Sequence, residues 1–164
     1  MSSLESPGAR LARLWTRLAP LPGGRWLFSR ILGWMVPYTG SIGATVQVLE
    51  PGHCIVALRD RRGVRNHLRS VHAVALVNLA EVTGGLAMLV GLPAGVRGIV
   101  TQLSIEYLRK ARGALVAESR IELPEVTGPM TYEVTADIRD ASGQTVARGR
   151  VQWKIEPVPA PTPA

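Results

Sequence analysis

Hydrophobic positions along the chain change period more than once, and each change marks a new element. Over residues 9 to 19, Leu11, Leu14, Trp15 and Leu18 fall at helical spacing between Arg10, Arg13 and Arg17, until Pro20 and Pro22 end the run. Trp26, Leu27, Ile31, Leu32 and Met35 repeat that pattern around Arg25 and Arg30 as far as Pro37. The spacing predicts two short basic amphipathic helices, closed by a turn at Tyr38, Thr39 and Gly40. From Ile42 the period becomes two: Ile42, Ala44, Val46 and Val48 alternate with small or polar residues up to Pro51-Gly52, and His53 to Leu58 continues extended. That is the pattern of a hairpin.

The period then lengthens again. After an arginine-rich loop from Arg59 to Arg69, Ser70 stands as an N-cap candidate before an apolar run from Val71 to Val90, which Gly91 and Pro93 terminate. A helix apolar on every side must be buried all round, so something has to wrap it. The run approaches the ~20 residues of a membrane span, but Asn78, Glu81 and Thr83 in its middle favour burial in protein. Alternation resumes at Ile99, Thr101, Leu103, Ile105 and Tyr107, then at Leu115 to Ile121, at Tyr132 to Ile138 and at Ala147 to Ile155, with turns at Lys110 to Gly113 and Asp140 to Gly143. Runs of strands after one long helix argue for the α+β class, an antiparallel sheet around a central helix. The expected organisation is residues 1–37 as amphipathic helices, 38–156 as the main domain, and 157–164 as a disordered Pro/Ala-rich tail.

Composition narrows the class of function. The 164 residues and 46% hydrophobic content suffice for one packed domain. Cys54 is the only cysteine, so no internal disulfide can form, and one thiol with three histidines is a poor metal kit. We expect no metal, no resident cofactor and a cytoplasmic location. Arginines break every apolar cluster of the first 30 residues, which argues against an export signal. The formal charge of +7 attracts phosphates, anionic lipid or nucleic acid without choosing among them. Five arginines and a single acid, Glu5, occupy the first 30 residues, so peripheral membrane contact through residues 9–36 is one use of that charge. No helix-turn-helix, zinc module or aromatic platform accompanies it, so no specific nucleic-acid partner is expected.

The chemical anomaly is Glu81. A carboxylate inside an apolar buried helix costs several kcal/mol unless it is paired, or its pKa rises. Either Arg or Lys from a neighbouring strand meets it, or the carboxyl has a use. Upstream, His72 and Ala73 lie at the helix start, where unpaired N–H groups can hold an oxyanion or a carbonyl. Asn66 either shapes a turn or offers its amide to a water or leaving group. His67 has no assignable role.

Asn66, His72 six positions on, Ala73 next to it and Glu81 nine after His72 resemble the motif of hotdog-fold acyl-CoA thioesterases of the phenylacetate-degradation type, over residues 38 to 156. Ala73 and Val74 stand where that motif has a glycine pair, and Glu81 where Asp is usual. Val100 occupies a strand position where some relatives have serine, with Thr101 beside it. The run from Asn66 to Ala73 and the strand end from Glu106 to Arg112 look most like a poorly characterised bacterial branch of that superfamily. The resemblance implies a hotdog fold, a homodimer or a dimer of dimers, and an acyl-CoA or acyl-carrier substrate, with coenzyme A present only as part of the substrate. It implies that the Ala73 amide polarises the thioester carbonyl, with Val74, which narrows access to the helix start, and Thr101, adjacent to Val100 but expected to face the other way, as candidates for substrate binding. Glu81 of the other subunit then acts as nucleophile or base, Asn66 positions water or thiolate, and His72 serves structurally. Arg109, Lys110 and Arg112 are candidates for the phosphates of coenzyme A, or else a solvated turn. A non-catalytic acyl-binding module remains the competing reading.

Overall fold

A computed structural model describes residues 6–158. Helix α1 spans Pro7–Leu18, α2 Gly24–Met35 and α3 Pro37–Gly40; strands β1 Thr45–Glu50 and β2 His53–Leu58 follow. After a 3-10 turn at Arg62–Val64 come α4 Ala73–Leu89, β3 Val96–Tyr107, β4 Leu115–Arg120, β5 Met130–Arg139 and β6 Thr145–Pro157. Ser6 caps α1 by accepting from the Ala9 N–H at 3.2 Å, with Pro7 in the first turn. Leu11 is buried, and the Trp15 ring meets Phe28 edge-on at 5.1 Å, which fixes α1 against α2. The turn expected at Tyr38 to Gly40 is instead the single-turn helix α3. The expected disordered tail lies outside the described residues from 159 onward, whereas the Val158 N–H reaches the Gly95 carbonyl at 2.7 Å.

Six antiparallel strands form one sheet in the order β1-β2-β4-β5-β6-β3. Alternate residues of one face, among them Val56, Leu115, Ala117, Val134, Ile138, Val151 and Ile155, are buried. Helix α4 lies on β2, β4, β5 and β6. Small residues set how closely it approaches: a Cβ on Gly149 of β6 would stand 2.4 Å from the Ala80 Cβ, and one on Gly84 2.9 Å from a Val134 methyl. Paired acids and bases cover the other face, including Arg148 to Asp137 at 2.5 Å and both His53 and Arg139 to Glu118 at 3.0 and 3.1 Å. At 17 residues α4 is about 26 Å long, shorter than the run from Val71 to Val90.

Two expectations are corrected here. The N-cap of α4 is His72, not Ser70: His72 holds the extended conformation of a cap (φ −63°, ψ 140°), and its Nδ1 accepts from the Val74 N–H at 3.1 Å. In β3 the alternation does not run through from Ile99 to Tyr107. A bulge leaves Thr101 without a partner between the Val100–Trp153 and Gln102–Gln152 pairs, which inverts the parity. Ile99 is consequently 65% exposed, while Val100 packs in the cluster around Trp153.

Candidate active site

Glu81 lies at the midpoint of α4, on the flank facing β6. Its carboxylate and the Trp153 ring both approach the place a Gly85 side chain would fill: a Cβ there would stand 3.4 Å from Glu81 Oε1 and 3.7 Å from Trp153 Cζ2. Gly85 thus leaves the room in which the acid sits. Among the described residues Glu81 has neither an ion-pair nor a hydrogen-bond partner, and its burial alone holds the carboxyl above the ordinary glutamate range. The reading in which a strand arginine or lysine neutralises it is therefore excluded within one chain. Trp153, only 4% exposed, buries its indole Nε1 with no acceptor, so two polar groups with unmet bonding capacity flank Gly85. The alternation from Ala147 to Ile155 does not single out Trp153; the signal that could is an indole donor on the buried face of a strand that contacts an acid-bearing helix.

The helix start is assembled from three loops. Asn66 Oδ1 accepts from the Leu68 and Ser70 N–H groups at 2.9 and 3.2 Å and from the Ser70 hydroxyl at 3.2 Å. Facing two backbone donors, that atom must be the oxygen, and the amide nitrogen has no partner among the described residues. The turn-forming and the donor reading of Asn66 are thus compatible. The Val71 N–H donates to the Ala111 carbonyl at 2.8 Å, the Tyr107 hydroxyl to the Ala73 carbonyl at 3.2 Å, and the Gly113 N–H to Asp60 at 2.9 Å. These bonds tie the segment carrying Arg109, Lys110 and Arg112 to the start of α4. All three cations are exposed, and none has an ion pair within 4.0 Å among the described residues.

Ala73, Val74 and His72 are exposed, with Val74 at 50%. The Ala73 N–H has no acceptor among the described residues, whereas that of Val74 is taken by His72 Nδ1. His67 is exposed and joins none of these contacts. Thr101 is exposed, its hydroxyl donating to the Gln152 carbonyl at 3.3 Å. Cys54 is buried with its thiol pushed up to about 12, which rules out a thiolate nucleophile there. Eight residues separate Ala73 from Glu81, about 12 Å along the helix axis. One chain does not bring the two together at a single carbonyl.

A six-stranded antiparallel sheet wrapped over one central helix is the hotdog fold. The chain belongs to the family described as a domain of unknown function (DUF4442), whose model matches residues 24–155. A Halobacterium salinarum protein named as a candidate esterase is 30% identical over 122 residues, which is 70% of this chain and 81% of that one. A Pseudomonas aeruginosa protein of unknown function, described as a probable thioesterase, superposes with a TM-score of 0.72 at 23% identity, over 84% of this chain and 97% of the other. A hypothetical thioesterase from Streptococcus pneumoniae, solved with coenzyme A, gives a TM-score of 0.59 at 18% identity over 71% and 91% of the two chains. No helix among the described residues is long and apolar enough to cross a membrane.

Proposed function

We propose that the protein hydrolyses an acyl thioester, carried on coenzyme A or an acyl-carrier protein, with Glu81 as general base or nucleophile. The observation that carries the reading is the unpaired, largely buried carboxyl of Glu81. An ionisable group kept at a desolvation cost with nothing among the described residues to offset it is the kind of group that catalysis uses. The separation of Ala73 and Glu81 makes the reaction one between two copies. Strand β3 is an edge strand whose unpaired side is where a second copy would extend the sheet, with Leu103 and Tyr107 exposed on the helix side beyond the bulge. In that homodimer, Glu81 of one copy takes a proton from water, and the hydroxide attacks the carbonyl carbon held at the other copy's Ala73 N–H. The C–S bond then breaks and the departing thiolate takes up the proton held by Glu81, so that the carboxylic acid and the thiol are released and the Glu81 carboxylate is restored, while the Asn66 amide steadies water or the departing sulfur. Where the carrier is coenzyme A, Arg109, Lys110 and Arg112 receive its phosphates. Thioester pools of this kind go with a cytoplasmic setting.

The capping bond from His72 favours a second reading. It removes the Val74 N–H from the helix start and leaves one fewer donor for an oxyanion, as befits a domain that binds acyl groups without turning them over. Thiol release from a panel of acyl-CoA esters separates the two. Hydrolysis that collapses in Glu81→Gln supports the enzyme, tight binding without release selects the binding module, and turnover unchanged by Glu81→Gln ends the proposed mechanism.

A further inference from the structure

Helix α2 presents to solvent a face that an ordinary surface helix would make polar. Trp26, Arg30 and Trp34 recur every fourth residue and form one stripe, with Leu27 beside it. Trp34 is 82% exposed and Trp26 61%, and the patch continues through Met35, Val36 and Tyr38 into α3. The opposite side of α2 carries Phe28 and Leu32 into the core, so the exposed rings are not needed to hold the helix in place. A cleft of about 420 Å³ opens between the two tryptophans, floored by Val46, Val56 and Val82.

Charge identifies what covers this face. Between Glu5 and Glu50 the chain has five arginines and no acid. Arg25 and Arg30 are exposed and have no ion pair among the described residues. A second copy packed face to face would set this cationic stripe against itself, which like charges oppose. We propose that the α2–α3 face docks on an anionic lipid surface, with Trp26 and Trp34 seated at headgroup depth and Arg25 and Arg30 on lipid phosphates. Trp15 takes no part, being turned inward on Phe28. The proposal is independent of the thioesterase reading, since it concerns a surface that contains neither Glu81 nor the start of α4.

The test is flotation of the full chain with phosphatidylglycerol-rich vesicles and with pure phosphatidylcholine vesicles. Binding to the anionic vesicles alone is expected, weakening roughly fivefold for each of Arg25→Gln and Arg30→Gln. The decisive variant is Trp26→Ser with Trp34→Ser, which keeps the net charge. It should lose anionic binding while its thermal melt stays at the wild-type value, because both rings are outside the core. Arg120→Gln, on β4, should bind as wild type. Binding that survives in the double tryptophan variant, falls equally in Arg120→Gln, or is absent from the wild type overturns the proposal; in the last case the face belongs to a protein partner.

Discussion

Replacing Ala73 by proline removes one N–H donor from the proposed site and puts the ring Cδ in its place. Proline is well suited to the first position of a helix, since its missing N–H has no intrahelical partner there. His72 already holds φ −63° and ψ 140°, inside the region that a following proline requires. The bond that Ala73 does make, from the Tyr107 hydroxyl to its carbonyl, survives the change. Stability should therefore hold or rise by about 0.4–1 kcal/mol through a less free unfolded chain. At roughly 2–4 °C per kcal/mol for a domain of this size, that is a melting temperature up by about 1–4 °C. Hydrolysis should move the other way. Loss of one oxyanion donor costs about 10²–10³ in kcat, read from thiol release under saturating acyl-CoA, with Ala73→Gly as the control that keeps the N–H. A proline variant that folds and turns over at the wild-type rate would refute the assignment of this amide. One that unfolds would refute the description of the helix start.

Glu81→Met should stabilise the chain by about 1–3 kcal/mol near neutral pH, because it removes a desolvated polar group without a partner. The gap should be pH-dependent. Below the ordinary glutamate range folded and unfolded chains both bind the proton and the penalty is absent. As pH rises the unfolded chain loses it first, so wild type falls behind the variant until the raised folded pKa is passed; denaturant melts that show a pH-independent gap count against a buried unpaired carboxyl. Replacing Arg109, Lys110 and Arg112 together by glutamine should raise KM for acyl-CoA tenfold or more, as about 0.5–1.5 kcal/mol per lost contact adds up, while KM for a truncated pantetheine thioester stays put. An equal rise for both substrates would show that these cations do not read the phosphates.

Much of the architecture was legible because it rests on periodicity. Helix α4 could be read from an apolar run no surface helix tolerates, and the hairpins from alternation bounded by Pro51-Gly52 and Asp140 to Gly143. The failures have local causes. Ser70 is the better N-cap by residue type, but Asn66 Oδ1 engages its hydroxyl and N–H, and the capping conformation falls to His72. The bulge at Thr101 carries no glycine or proline to announce it, yet it moves Ile99 out to solvent and Val100 in beside Trp153. Glu81 stood out as a buried acid from sequence alone. That it is unpaired depends on what packs beside it, and that is Trp153 of β6 and the bare flank of Gly85 one turn further along α4, rather than a cation. The exposed stripe of α2 was half visible: the spacing of Trp26, Arg30 and Trp34 is in the sequence, but only the packing of Trp15 on Phe28 separates the outward aromatics from the inward one.

The placement of charge ties the two proposals together more firmly than its sum. Acids of the described chain are concentrated on the sheet, where Glu118, Asp137, Glu106 and Glu156 engage Arg139, Arg148, Arg150 and Arg97. Those pairs are partly exposed and contribute little each, but they neutralise the outer strand face. Part of the excess is thereby left in two groups: on the α2 face, where Arg25 and Arg30 lie beside exposed tryptophans, and at the loops around the start of α4, where Arg109, Lys110 and Arg112 lie beside an open amide. A diffuse positive charge would attract any polyanion. Cations gathered beside one aromatic surface and one helix start select for phosphate joined to something apolar, which describes both a lipid headgroup and the carrier end of an acyl thioester.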